Sequence, residues 1–96
     1  MDEPVITHHP LPNGGAYIAQ VAGSEATGEL TYRRTGLTVS ADHTLVPADL
    51  GGRGIAARLV DALVADARAQ GWKIVPACSY VATAFRRHPE WADLLA

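Results

Sequence analysis

Two hydrophobic periods divide the chain. As far as Val46, apolar and β-branched residues fall in short runs over residues 16–22, 29–34 and 37–46, punctuated by Pro10, Pro12, Gly14, Gly15, Gly23, Gly28 and Gly36. Breakers at this interval predict strands joined by hairpins, and the alternation of Leu30 and Tyr32 with Thr31 and Arg33 predicts a half-buried strand. From Gly52 to Gln70 the period lengthens. Ala56, Leu59, Val60, Leu63, Val64 and Ala67 recur at helical spacing, with Arg58, Asp61, Ala65 and Arg68 on the other side. Gly71 stands where a left-handed C-cap is wanted, and Trp72-Lys73-Ile74-Val75 reads as a short strand closed by Pro76. A strand, helix, strand unit of this kind sets its two strands parallel. Residues 78–87 predict a second helix, and residues 89–95 a third short one with Pro89 in its first turn. The fold class is therefore α+β: a mixed, mostly antiparallel twisted sheet with one parallel strand pair and two to three helices. Residues 1–14 carry no predicted element and are expected to form a mobile N-terminal segment.

Composition narrows what such a fold can do. At 96 residues, the chain is expected to be a single domain over 1–96, since one this short cannot divide its burial between two cores. Hydrophobic residues at 48% against 19% charged exclude an intrinsically disordered chain. The single cysteine, Cys78, excludes an intramolecular disulfide and a multi-cysteine zinc site, which predicts a reducing, cytoplasmic setting. No apolar run reaches the eighteen or so residues of a membrane span, and the acidic, polar start is unlike a signal peptide. A net charge of -2 gives no general attraction to nucleic acid. His8 and His9 lack metal-ligand spacing, so no metal is expected.

The chemistry-bearing stretch is residues 45–56: a strand end, a turn with Gly51, Gly52 and Gly54, and the start of the strongest helix. Backbone N–H groups at a helix N-terminus lack internal partners and carry the positive end of the dipole, so they can cradle a phosphate that glycine lets come close. Arg53 can add a charge-assisted contact. The alternative is a tight turn that only lets helix meet sheet. The pattern is neither a Walker loop nor the G-x-G-x-x-G fingerprint. Cys78 follows Pro76 at the start of the second predicted helix, where the dipole favours thiolate; its alternative is a small buried hydrophobe.

Gly52-Arg53-Gly54-Ile55-Ala56 opening a helix after His43-Thr44-Leu45-Val46-Pro47, with Pro76-Ala77-Cys78-Ser79-Tyr80 and His88-Pro89-Glu90 downstream, resembles the small, single-domain branch of the GNAT superfamily of N-acetyltransferases. The resemblance covers roughly residues 15 to 95. It implies a GNAT-like fold, acetyl-CoA as co-substrate, and transfer to an amine of a protein or small molecule. The implied cofactor-binding set is Val46, Gly51, Gly52, Arg53, Gly54, Ile55, Ala56, Ser79 and Arg87, with Arg87 either on the adenosine 3′-phosphate or only complementing the C-terminal dipole of the second helix. Cys78 is the implied acetyl acceptor or pocket wall, and His43, expected to face the same cleft, is the candidate general base, its alternative being a solvated strand histidine; Glu29, Asp42 and Tyr80 have less positional support. The superfamily motif has Arg or Gln where Gly51 stands, a departure that bears on affinity. The alternative function is a non-catalytic coenzyme A-binding module. No nucleic acid or membrane partner is expected, and the chain is expected to be a monomer or weak homodimer.

Overall fold

A computed structural model of the chain describes residues 4–50 and 54–96. Five strands, β1 (Val5–Leu11), β2 (Gly14–Gln20), β3 (Thr27–Thr35), β4 (Thr38–Leu45) and β5 (Lys73–Val75), form one sheet in the order β1-β2-β3-β4-β5. The first four pair antiparallel, and β5 lies parallel to β4. The connection between those two parallel strands carries helix α1 (Ile55–Gln70), preceded by a 3₁₀ turn over Ala48–Leu50. Helix α2 (Ser79–Arg87) and a 3₁₀ helix over Pro89–Leu94 complete the chain. The mixed α+β sheet expected from the sequence is therefore present, and the third helix is of the 3₁₀ kind.

The core lies between one face of the sheet and the helices. Tyr17, Ala19, Leu30, Tyr32, Val39 and Ala41 point into it from the strands, and Ile55, Leu59, Val60, Leu63, Val64 and Ala67 meet them from α1. Each fully buried Leu, Ile or Val contributes about 1.5–3 kcal/mol relative to exposure, and the high intrinsic preference of so alanine-rich a helix adds to that packing. Gly71 ends α1 in the left-handed conformation, φ 74°, with its own N–H and that of Trp72 donated to the Ala67 carbonyl. At the other end α1 starts at Ile55, three residues later than the expected Gly52.

Strand β1 is the element that the hydrophobic pattern misses. His8, on the helix-facing side, stacks on Tyr17 with ring centroids 4.4 Å apart, and its Nε2 lies 2.7 Å from the Tyr32 hydroxyl. The Tyr17 hydroxyl donates to Asp66 of α1 at 2.6 Å. Burial pushes the Tyr17 phenol up and the Asp66 carboxylate adds to it, so the phenol stays protonated and keeps donating. These polar side chains tie β1 and β2 to α1, and Pro10 is tolerated because β1 is an edge strand. A Cβ on Gly15 would stand 2.7 Å from the Tyr32 hydroxyl, so glycine is needed there for the ring to pass.

Candidate functional site

Three features converge at the carboxyl end of β4. The first is where the sheet opens. Parallel pairing between β4 and β5 runs Thr38↔Lys73, Val39↔Ile74 and Ser40↔Val75 and then stops. The Cys78 N–H still donates to the Ala41 carbonyl at 2.8 Å, but beyond that point β4 is paired with β3 alone while the chain turns away into α2. The two strands part here, with the last residues of β4 on one side and the start of α2 on the other.

The second feature is a register shift in β4. Thr31 faces His43 across the ladder and Tyr32 faces Ala41, leaving Asp42 as an unopposed bulge residue. Val39 and Ala41 are buried on the helix side, so strict alternation would send His43 inward and Thr44 outward. The bulge reverses that. Thr44 now pairs with the buried Leu30 on the helix side, and His43 pairs with Thr31 on the opposite face, exposed. Asp42 anchors the bulge from outside: the Arg33 Nε donates to one carboxylate oxygen at 2.8 Å and the Ser40 hydroxyl to the other at 2.7 Å. The Arg33 guanidinium holds the Asp42 carboxyl below the usual range, which fits an anchor rather than a proton acceptor.

The third feature is Cys78 itself. It is the half-buried N-cap of α2, with extended backbone, and its Sγ lies 3.6 Å from the Thr44 Oγ1. Partial burial pushes the thiol up, but the Thr44 hydroxyl and the backbone N–H groups of Val81, Tyr80 and Thr44 outweigh that, and the thiol titrates below its ordinary range. No regular side-chain capping bond closes from the sulfur, so the α2 amides act on it as oriented dipoles. The result is a partly accessible thiol that several donors surround, an arrangement that favours a nucleophilic thiolate.

The remaining predicted residues divide by location. Gly54 is the N-cap of α1 in the left-handed conformation, φ 70°, exposed, with no protein atom within 4 Å of where a Cβ would stand. Gly54 has no side chain with which to cap α1, so among the described residues the first N–H groups of the helix keep the donors a phosphate would need. Ile55 is buried and offers only its backbone, and Ala56 is half-buried beside it. Val46 packs against the core as β4 ends. Gly51, Gly52 and Arg53 lie outside the described residues. Ser79 and Tyr80 are exposed in the first turn of α2. Arg87 is exposed and lines a groove of about 120 Å³ between α1 and α2, with Ala57, Asp61, Tyr80 and His88. Glu29 pairs with Leu45 and points to the same outer face as His43.

Cys78, Thr44, Val46 and the N-terminus of α1 thus belong to the helix side, while His43, Glu29 and Asp42 belong to the other. Thr44 is absent from the sequence-based candidates, and a one-residue bulge leaves no periodicity signal that would reveal it. Among the described residues no group of His, Cys, Asp and Glu could hold a metal ion, and no helix is long and apolar enough to cross a membrane.

Comparison with known proteins bears on this arrangement. The family model of GCN5-related N-acetyl-transferases matches residues 16–94. Among solved structures, the chain is similar to the solution structure of a GCN5-like protein from Staphylococcus aureus described as a candidate N-acetyltransferase. That similarity has a TM-score of 0.70 at 26% identity and covers 94% of this chain and 87% of the other.

Proposed function

Because the chain belongs to the GCN5-related N-acetyltransferase family, we propose that it takes acetyl-CoA between β4 and α2 and passes the acetyl group to an amine by way of Cys78. The observation that carries this reading is the position of Cys78 at the point where β4 and β5 part, with its sulfur among hydrogen-bond donors. The start of α1, whose N-cap Gly54 has no side chain, supports binding of the pyrophosphate by Gly54 and the N–H groups of Ile55 and Ala56 among the described residues, with Gly51, Gly52 and Arg53 preceding them in the sequence. Val46 and Ser79 flank the pantetheine arm, and Arg87 reaches the adenosine 3′-phosphate. The reaction belongs to the cytoplasm.

Covalent transfer divides a difficult step in two. A lysine-like amine is mostly ammonium at neutral pH, and presenting it uncharged costs about 4–5 kcal/mol. In the first half-reaction the Cys78 thiolate attacks the thioester carbonyl, a new S–C bond forms, and coenzyme A leaves as its thiolate. In the second an uncharged amine attacks acetyl-Cys78, the amide forms, and the Cys78 thiolate is restored while the ammonium proton passes to water. His43 points to the opposite face, and the water that takes this proton passes it on to the imidazole there.

Mass spectrometry of the intact protein tests the reading. Incubation with acetyl-CoA and no amine is expected to add one acetyl group at Cys78. Cys78→Ala is expected to lose the adduct and turnover while keeping affinity for coenzyme A. A clean unmodified mass beside rapid turnover would mean direct attack by the amine. Binding of coenzyme A with no thiol release across a pool of amines would mean a binding module without turnover.

A further inference from the structure

We propose that Thr44 is the positioning residue for Cys78, holding its sulfur in place and donating a hydrogen bond to the thiolate; this rests on the reading of Cys78 as the acetyl carrier. The register of β4 is the ground for it. A strand of this length without a bulge would bring an imidazole, that of His43, to the helix side and leave the Thr44 hydroxyl in solvent. The extra residue Asp42, held on the outer face by Arg33 and Ser40, moves Thr44 inward to 3.6 Å from the sulfur. In the resting thiol the S–H donates to the Thr44 oxygen, and in the thiolate the hydroxyl turns and donates to sulfur, which one rotor can do in both directions. A hydroxyl is suited to that exchange because it changes partner without changing charge. Once acetyl-Cys78 forms, the sulfur loses its charge and with it most of the bond, so Thr44 favours the thiolate over the acyl sulfur and assists its departure in the second half-reaction.

Cys78 is the single cysteine of the chain, so its alkylation by iodoacetamide followed against pH reads this thiol alone. Thr44→Val removes the hydroxyl and keeps the shape and the backbone N–H. It is expected to raise the midpoint of the alkylation profile by about one pH unit, so that alkylation and acetyl-adduct formation below the midpoint slow about tenfold. Thr44→Ser, which restores the hydroxyl, is expected to return both to the wild-type profile. A residue that merely packs would leave the midpoint in place in Thr44→Val, and coincident profiles for Val, Ser and wild type overturn the proposal. Thr44→Ala supplies the same comparison should Val disturb the fold, with melting curves confirming that each variant is folded. Failure of the underlying reading looks different: the wild-type protein then forms no acetyl adduct at all, whatever the alkylation profiles show.

Discussion

Gly54 permits a comparison in which the cost to folding and the cost to binding separate. It sits at the N-cap of α1 with φ 70° and open space around its missing Cβ, and Gly36, in the turn between β3 and β4, has φ 60° and the same open surroundings. An alanine at either position meets no protein atom, so its whole cost to folding is the left-handed backbone, about 1–2 kcal/mol. For a domain of this size that lowers Tm by about 4–16 °C, and by similar amounts in the two variants. The two sites differ in what a ligand would meet. Gly36 lies at the amino end of β4, whereas Gly54 stands beside the first amides of α1, proposed to hold the pyrophosphate. Coenzyme A at a hundredfold excess over Kd stabilises the folded state by about 2.7 kcal/mol, a rise in Tm of about 10–20 °C. If a methyl group at position 54 weakens binding about a hundredfold, the same concentration leaves about 0.4 kcal/mol, a rise of only about 2–3 °C. Thermal melts of wild type, Gly54→Ala and Gly36→Ala across a coenzyme A titration are expected to show two equally destabilised variants, one of which still responds to the ligand. An equal ligand shift in both would refute the placement of the phosphates at the start of α1.

Two further outcomes follow from the surface charges. Arg87 lines the groove between α1 and α2, and Arg87→Ala is expected to weaken coenzyme A binding about three- to tenfold while leaving 3′-dephospho-coenzyme A unaffected; equal losses for the two ligands in calorimetry would remove the 3′-phosphate contact. Asp42 titrates below its ordinary value near 3.8 because Arg33 and Ser40 bond the carboxylate, so its stabilisation is fully present above that value and is lost as pH falls through the lower folded one. The gap in Tm between wild type and Asp42→Asn is expected to be constant from about pH 5 to 7 and to close below about pH 4; a gap that widens with acid would contradict the sign.

Most of the fold is legible in the sequence because burial repeats at the period of the element that is buried. Leu59, Val60, Leu63, Val64 and Ala67 locate α1 before any coordinate is seen, and Gly71 ends it where the left-handed cap stands. Leu30 and Tyr32 mark the inner face of β3, and Val75-Pro76 marks the point where β5 stops. The exceptions share a cause. Strand β1 has two histidines and a proline where apolar alternation would be expected, and it is held by a hydrogen bond between His8 and Tyr32 and by the stacking of His8 on Tyr17, which in turn donates to Asp66. Partners supplied from residues 24 positions away leave no trace in a local window. The shape of the last helix is similar: Pro89 announces a helix start, but it forms as 3₁₀, the geometry that eclipses residues three apart, as where His88 stacks on Trp91 at 4.0 Å.

The candidate site separates in the same way, and the separation has a mechanistic consequence. Cys78 is legible because its place depends only on a proline, a helix start and the family motif. Its neighbour is not, because the choice between His43 and Thr44 depends on one unopposed residue. Counting by twos along β4 from Ala41 arrives at His43, a titratable base; the ladder arrives at Thr44, a neutral hydroxyl. A base beside the sulfur would have drawn a proton from the thiol and held a positive charge next to the acetyl donor. A hydroxyl with three backbone N–H groups lowers the thiol's titration by donors alone, so the proposed transfer has no ion pair to separate. The imidazole is sent to the opposite face of the sheet. Bulge, thiol and hydroxyl therefore form one device, and displacing Asp42 from Arg33 and Ser40 would act on the chemistry through the register of the strand, by exchanging which side chain meets the sulfur.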